Sequence, residues 1–488
     1  MKIAKKAICL FLCVLMTATL FVSCGDKGGK KDPAETTDTG SKPSGETTIR
    51  SLSNVPDDLT FGDADFTVAS RYTNASVYVE EITGDNVYDS VYNRNKMAEE
   101  KLKVKINEVK EDEDTKIEFL VTSIKAGERT YSGAITHITR MASLMQEGYF
   151  INVDDVPYLD LEQPYWAKSV TDSLTVGDKS YLFSGDMTIT DNTNIWCVYF
   201  NKELTEDLGL ESPYVPLEEG RWTMDMFSKN AALAASDVNG DGIWDYSTDR
   251  FGVSNLNETL CGYYNGMGQL SVIRNEEDEL VFNLGAPASV DALQRISKWA
   301  TAGSETYLLD VARIPADGTE WDQLVNVFVS GRSLYHVHTA VMIFMMREME
   351  QAFGILPMPK ADEKQDKYVS STQEWGQCVM AVPVCAPNLT MAGAVIEYLG
   401  GISTDTIRTA YYDVALTRKM SRDKESSVSL DIIFDNIVID PGFSYFGLRS
   451  TVEDIATGGT IASKLQSKEK SINRQIQQIE KIINKLDH

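Results

Sequence analysis

Five consecutive stretches alternate between strand-like and helix-like patterns, and this alternation constrains the fold more than any other feature of the chain. Asp65–Ser70 ("DFTVAS") is apolar and β-branched, the pattern of a buried strand. Asp89–Val104 spaces Val91, Met97, Ala98 and Leu102 as one helix face. Lys103–Lys110 alternates over Val104, Ile106 and Val109, as a strand does. Thr115–Gly127 reads as a helix with Asp114 as its cap and Gly127 as its stop, and Tyr131–Ile138 as the next strand. Strand, helix, strand, helix, strand is the signature of α/β architecture with a parallel sheet.

The texture changes after Thr190. "NIWCVYFNKEL" predicts an apolar strand running into a helix that ends near Gly209. Residues 222–330 read as mostly helical. Phe353–Pro359 and Cys378–Val384 read as short strands, and the chain from Asn388 onward as mainly helical. The last helix places Leu465, Ile472, Ile476, Ile479, Ile482 and Leu486 on one side. That stripe predicts packing on its own lobe, with a coiled-coil partner as the alternative. Roughly 425 residues follow the N-terminal segments, more than one core normally holds, so two lobes are expected. A chain that crosses between lobes more than once leaves a cleft where small molecules bind.

Lys2, Lys5 and Lys6 precede a nearly uncharged apolar run from Ala7 to Phe21, and Ser23 stands before Cys24 and Gly25. This is the layout of a signal peptide over residues 1–23, the run being short for a membrane span. "LFVSCG" resembles the lipobox of bacterial lipoproteins, which implies that Cys24 becomes the first mature residue and carries the lipid. Phe21 stands where that motif more usually has Leu. Residues 24–61 then read as the lipidated Cys and a flexible tether of Gly, Ser, Thr, Pro, Lys and Asp, with almost nothing to bury. The net charge is −26, and three lysines leave with the signal peptide. Nucleic acid is excluded as a partner on that balance. Cys197, Cys261, Cys378 and Cys385 make no CxxC pair and read as small buried side chains, with one buried disulfide the alternative.

Several segments resemble the extracellular solute-binding proteins of carbohydrate ABC importers, the family that includes maltose-binding protein, and particularly its lipoprotein members from Firmicutes. They are Val198–Leu204, Gly220–Phe227, Asp237–Asp245, Val327–Val337, Phe353–Tyr368 and Ala410–Ser426, in the order that family shows. The resemblance implies a two-lobe periplasmic-binding-protein-like fold with hinge crossings and a ligand cleft between the lobes. It places the first crossing near Thr190–Phe200, a return to the first lobe near Arg332–Val337 and a second exit near Pro383. The expected N-terminal lobe is therefore 62–192 plus 333–383, and the C-terminal, more helical lobe 193–332 plus 384–488. The implied function is capture of a sugar or oligosaccharide by a monomer held on the extracellular face of the cytoplasmic membrane. Delivery would be to the permease subunits of an ABC transporter, with no catalysis and no required cofactor. A surface-anchored carbohydrate hydrolase and an adhesion or scaffold lipoprotein are the alternatives. No GxSxG, Walker, GxGxxG or HExxH pattern stands in the chain.

Sugar rings offer C–H faces that pack on flat aromatic rings and hydroxyls that need polar partners. Trp375, beside Glu374 in the polar stretch "STQEWGQ", has little local reason to be there. Trp196 sits in the expected crossing near Asp191 and Asn194, and Trp166 follows Pro164 in a first-lobe loop. Arg71 and Tyr72 end the first strand, where open α/β sheets bind ligands. Asp186 lies in the Gly-bearing "FSGDMT". These nine are the candidate ligand contacts. Asp237, Asn239, Asp241, Ile243 (through its carbonyl) and Asp245 are spaced to wrap a structural Ca²⁺, although the closing position is Thr248 with Asp249 one residue late. An Asx- and Gly-rich turn is the competing reading. His336 and His338 share a strand face with no further ligand nearby, and read as a packed pair rather than a metal site.

Overall fold

The computed structural model describes residues 53–71, 77–111, 116–188, 193–303, 306–346, 349–411, 424–458 and 461–485. Cys24, Tyr72, Asp114, Asp191 and Leu486 lie outside them. Strands β1 (Ala64–Ser70), β2 (Val104–Val109) and β3 (Gly133–His137) come first. β4 (Trp196–Asn201), β5 (Phe251–Asn255), the short β6 (Val272–Arg274) and β7 (Leu280–Phe282), β8 (Leu308–Asp310), β9 (Ser333–Thr339) and β10 (Phe353–Leu356) follow. β11 (Ser370–Ser371), β12 (Cys378–Ala381) and β13 (Ile437–Val438) complete the order.

The first sheet has the order β12-β3-β1-β2. β1 runs parallel to β2 and β3, as the alternation predicts, while β12 returns antiparallel on β3. The helix Asn86–Leu102 starts at Asp85, whose side chain accepts from Val87 N and Tyr88 N, and buries Val91, Ala98 and Leu102. The helix Glu118–Ala126 stops at Gly127, which supplies a φ of 73°. Phe66, Val68, Ile135 and Met380 form the sheet's buried face with the helix Leu389–Ser403. Burying each such side chain contributes about 1.5–3 kcal/mol.

The second sheet has the order β10-β4-β9-β5-β8. β4 is antiparallel to β9 and β10, whereas β5 is parallel to β9 and β8. Its core gathers aromatic rings: Trp222, Phe227, Tyr263, Trp299 and Tyr335 pack edge-on or tilted, with centroids 4.9–5.9 Å apart. Trp222 Nε1 donates to Pro357 O at 3.0 Å, which satisfies its polar end.

Three expectations need correction. Residues 333–337 do not return the chain to the first sheet, because β9 is the central strand of the second sheet. The return is made by β12 at 378–381, and the helix Leu389–Ser403 packs on the first sheet after it, where an exit was expected. A strand buried on both faces looks the same in either sheet, so its residues alone do not assign it. The tether also ends early: Val55 is buried, Phe61 N donates to Leu102 O at 2.8 Å, and Lys101 pairs with Asp57 at 2.6 Å. Finally, the terminal helix Ile461–Ile483 is not confined to one lobe. It buries Leu465, Ile472, Ile476, Ile479 and Ile483, with Ile482 only half-buried. It packs on β7, on the helix Arg449–Ala456 and on the helix Ile138–Gln146 that follows β3.

Cys197, Cys261, Cys378 and Cys385 are buried thiols, with burial pushing Cys197 up to about 12 and Cys378 up to about 11. Among the described residues no helix is long and apolar enough to cross a membrane. His336 and His338 are both buried, their rings 5.8 Å apart and nearly parallel. His336 Nδ1 meets Ser254 Oγ at 2.9 Å, and His338 Nε2 accepts Trp321 Nε1 at 3.3 Å. Burial lowers their pKa values to about 3 and about 4. The folded pair therefore stays neutral at pH values where the unfolded imidazoles, near 6.5, take up protons. Stability from this pair is present above pH 6.5 and is lost as pH falls from there toward 4. Thermal melts at pH 7.5 and 4.5 should show a smaller acid loss in the H336N/H338N double variant than in the parent. Equal losses would count against this account.

Candidate functional site

The carboxyl ends of the parallel strands β1 and β3 carry Arg71 and His137. His137 is also the cap of the helix Ile138–Gln146, its Nδ1 accepting Arg140 N at 3.4 Å. β12 pairs Cys378 with His137, which brings the preceding residues across this edge. Gln373–Gln377 form a tight turn there, with Gly376 N and Gln377 N both donating to Gln373 O. The turn is tied to the other crossing by Gln373 N donating to Asn194 O at 2.8 Å and by a bridge between Ile195 and Thr372. A Cβ at position 376 would lie 1.9 Å from Asn194 Oδ1, so any larger residue there would have to displace the Asn194 side chain.

Trp375 stands on this turn with 51% of its surface exposed. Its carbonyl accepts Arg71 Nη1 at 2.8 Å. One side of its indole meets His137 of the first lobe, centroids 5.3 Å apart. The Arg449 guanidinium, at the start of the helix Arg449–Ala456, lies 6.0 Å from the ring centroid. Arg449 is held by Glu258 at 2.9 Å and Glu453 at 3.3 Å, and Glu258 also accepts Gln373 Nε2 at 2.8 Å. An exposed ring, two cations, an imidazole and carboxylates thus converge where the chain passes between the sheets. That set offers a flat apolar face together with donors and acceptors for hydroxyl groups.

The other candidate residues fall elsewhere. Glu374 turns inward and is buried. Desolvation pushes its pKa up to about 8, against a smaller downward pull from its own backbone and from Arg449. Asn194 is half-buried beside Gly376. Trp196 is 2% exposed, packed on Gly262 and His338, and forms a floor rather than an open face. Trp166 is a core residue of the first lobe: its Nε1 donates to Glu397 at 3.1 Å, and its ring meets Phe183 edge-on. Asp186 is buried, accepting Thr404 Oγ1 at 2.6 Å with Arg408 at 3.5 Å, so it ties the turn after Gly185 to the helical segment Thr404–Arg408. His137, Glu258, Gln373 and Arg449 escaped the sequence reading. The strand-end argument that selected Arg71 also selects His137, whereas Glu258 and Arg449 have no local signal.

The Asp237–Asp245 loop is stapled by its own backbone. Asp237 accepts Gly240 N and Gly242 N, Asn239 accepts Asp241 N, Asp241 accepts Ile243 N, and Asp245 accepts Ser247 N. Buried Asp249 accepts Val238 N and Asp245 N, which closes the turn. Among the described residues no three His, Cys, Asp or Glu side chains are grouped as metal ligands.

Solved structures match over most of the chain. A cyclic α-maltosyl-1,6-maltose binding protein from Arthrobacter globiformis superposes with a TM-score of 0.57 at 12% identity, covering 85% of this chain and 99% of that one. A cyclo/maltodextrin-binding protein complexed with maltotetraose gives 0.55 at 14% identity, over 86% and 97%. An ABC substrate-binding protein from Listeria monocytogenes in complex with cycloalternan gives 0.54 at 13% identity, over 85% and 99%. The chain has the two-lobe, periplasmic-binding-protein-like fold. No family model and no curated protein matches the sequence. The turn carrying Trp375 lies on the segment that leads from β10 of the second sheet to β12 of the first.

The buried Glu374 gives the crossing a pH signature. Its folded pKa, about 8, lies above the ordinary 4.5, so its contribution is fully present below pH 4.5 and is lost as pH rises toward 8. Glu374→Gln fixes the neutral form. Its melting temperature relative to the parent should climb between pH 5 and pH 8.5, and a pH-independent difference would refute the assignment.

Proposed function

We propose that the chain is a lipid-anchored solute-binding protein that captures a carbohydrate between its lobes and hands it to an ABC permease without breaking any bond in it. The observation that carries this reading is Trp375, a half-exposed indole on a hinge crossing, flanked by His137 from one lobe and Arg449 from the other. A sugar ring laid on that indole covers apolar surface that water now wets, while the hydroxyls reach Arg449, Glu258 and Gln373. Groups from both lobes on one ligand give it a differential affinity for the closed arrangement, which is what a transport receptor signals with. The similar solved structures that hold cycloalternan, maltotetraose and maltotriose support a glucan as the first class to test. The signal-peptide layout and the lipobox-like "LFVSCG" support attachment through Cys24 on the extracellular face of the cytoplasmic membrane. In this reading the protein needs no cofactor.

Titration of the chain with maltooligosaccharides, followed by tryptophan fluorescence and calorimetry, should show saturable binding with the sugar recovered intact. Trp375→Ala should weaken that binding at least tenfold, about 1.4 kcal/mol. Unchanged affinity in the variant removes Trp375 from the site, and shortened sugar products would convert the reading to a hydrolase.

A further inference from the structure

The terminal helix Ile461–Ile483 is basic in a chain whose net charge is −26. The turn to Lys485 keeps its helical course, with Asn484 N donating to Glu480 O at 2.9 Å. Helix and turn together hold six cations, Lys464, Lys468, Lys470, Arg474, Lys481 and Lys485, against two acids, Glu469 and Glu480. Four of the cations fall into one row. Residues three and four apart are neighbours on a helix surface, and Ser467, Lys470, Arg474, Gln478, Lys481 and Lys485 follow one another at those spacings. All six are exposed, and the row contains no acid. It lies opposite the buried row of Leu465, Ile472, Ile476, Ile479 and Ile483. Among the described residues none of Lys470, Arg474, Lys481 and Lys485 forms an ion pair, whereas Lys464 is taken by Asp454 at 2.9 Å. From Lys470 to Lys485 the row runs about 22 Å along the axis. Acids stand on one flank of it, where half-buried Glu480 lines a hollow with Asp178, Glu277 and Glu279.

We propose that this basic row is a docking face for an anionic phospholipid bilayer, so that the anchored protein rests on the membrane along its terminal helix. The inference rests on the membrane attachment proposed above. Three features select a lipid surface. The row is a line of cations and small polar groups with no apolar residue in it, whereas a protein partner is normally met by an apolar centre. The chain as a whole is acidic, so an anionic bilayer repels the molecule and attracts this row, which selects one face for contact. The apolar side of the helix is already spent on the core, so the helix does not insert, and the contact is one of charges that salt reverses. Attachment through Cys24 keeps the row close to the headgroups, and a weak attraction suffices for a partner that cannot diffuse away. The acids around Glu480 are repelled on their flank, which sets the roll of the molecule about the helix axis.

Gln478 is exposed within the row, and Cys197, Cys261, Cys378 and Cys385 are buried, so Gln478→Cys takes a donor dye selectively. The full lipidated chain labelled there is placed on vesicles of phosphatidylcholine alone, or with about a third of phosphatidylglycerol, that carry an acceptor dye on a trace of headgroups. Energy transfer should be about threefold higher on the phosphatidylglycerol vesicles. The excess should vanish in about 0.5 M NaCl, where charges are screened beyond about 4 Å. It should also vanish in K470Q/R474Q/K481Q/K485Q and persist in K470R/K481R/K485R. Equal transfer on the two lipids overturns the docking face and leaves the row to an acidic protein. An excess that survives in the glutamine variant overturns it too. The lipid and salt comparisons use a chain with the row intact, so they decide the matter however the variant melts. Flotation on phosphatidylcholine alone reports the lipid anchor separately. A chain that floats only with phosphatidylglycerol overturns the anchor and keeps the docking face, and one that floats with neither overturns both.

Discussion

A guanidinium and a carbonyl 304 residues apart in sequence join the first strand to the turn that leads into β12: Arg71 Nη1 on Trp375 O. The arginine is fixed by its place at the end of β1, a parallel strand whose partners on both sides are set by its apolar face. The carbonyl is fixed by a turn that closes on Gln373 and leans on the other crossing through Gly376 and Asn194. A hydrogen bond to a charged group contributes about 1.5–3 kcal/mol, enough to favour one position of the turn over its neighbours. Trp375 is exposed because its backbone is committed and its side chain is not. The orientation of the ring toward His137 and Arg449 follows from that commitment.

Much of the first lobe was legible because its signals are local. The β-branched strand from Asp65, the helical spacing of Val91, Ala98 and Leu102, and the stop at Gly127 each need only a few neighbouring residues to be read. The resemblance placed strand β9 in the wrong sheet, and its own residues offer no correction, because all seven are buried and lack the alternation that would orient it. The tryptophans divide in the same way. Trp375 was found because a polar surrounding gives an indole no core to join. Trp166 was misjudged because the group that holds its N–H, Glu397, is 231 residues away. Arg449 and Glu258 were invisible for the same reason: their meaning is a shared contact, and no spacing in the chain records it.

The acidic balance of the chain hides a small set of carboxylates with structural work inside. Glu397 receives the hydroxyl of Tyr165 and the indole N–H of Trp166, and buried Asp440 receives Ser271 N, Ser271 Oγ and Gly442 N. Each carboxylate is surrounded by donors, the condition under which a buried acid is tolerated. Glu374 differs: the groups around it are Arg449 and further acids, and its own backbone is the donor acting on it. It sits next to the exposed indole of Trp375.

The terminal helix has a mechanical consequence. It lies on β7 and on the helix that follows β3, and nearby Tyr445 donates its hydroxyl to Leu174 O while Arg274 reaches Asp172 O. These contacts stitch the carboxyl-terminal segment to the first lobe along one flank. Two bodies sewn along an edge cannot separate evenly: any gape must widen away from the seam, like a book lifted from its spine. For the receptor proposed above, a guest would then enter and leave from the unsewn side, with the direction of traffic set by where the last helix lies.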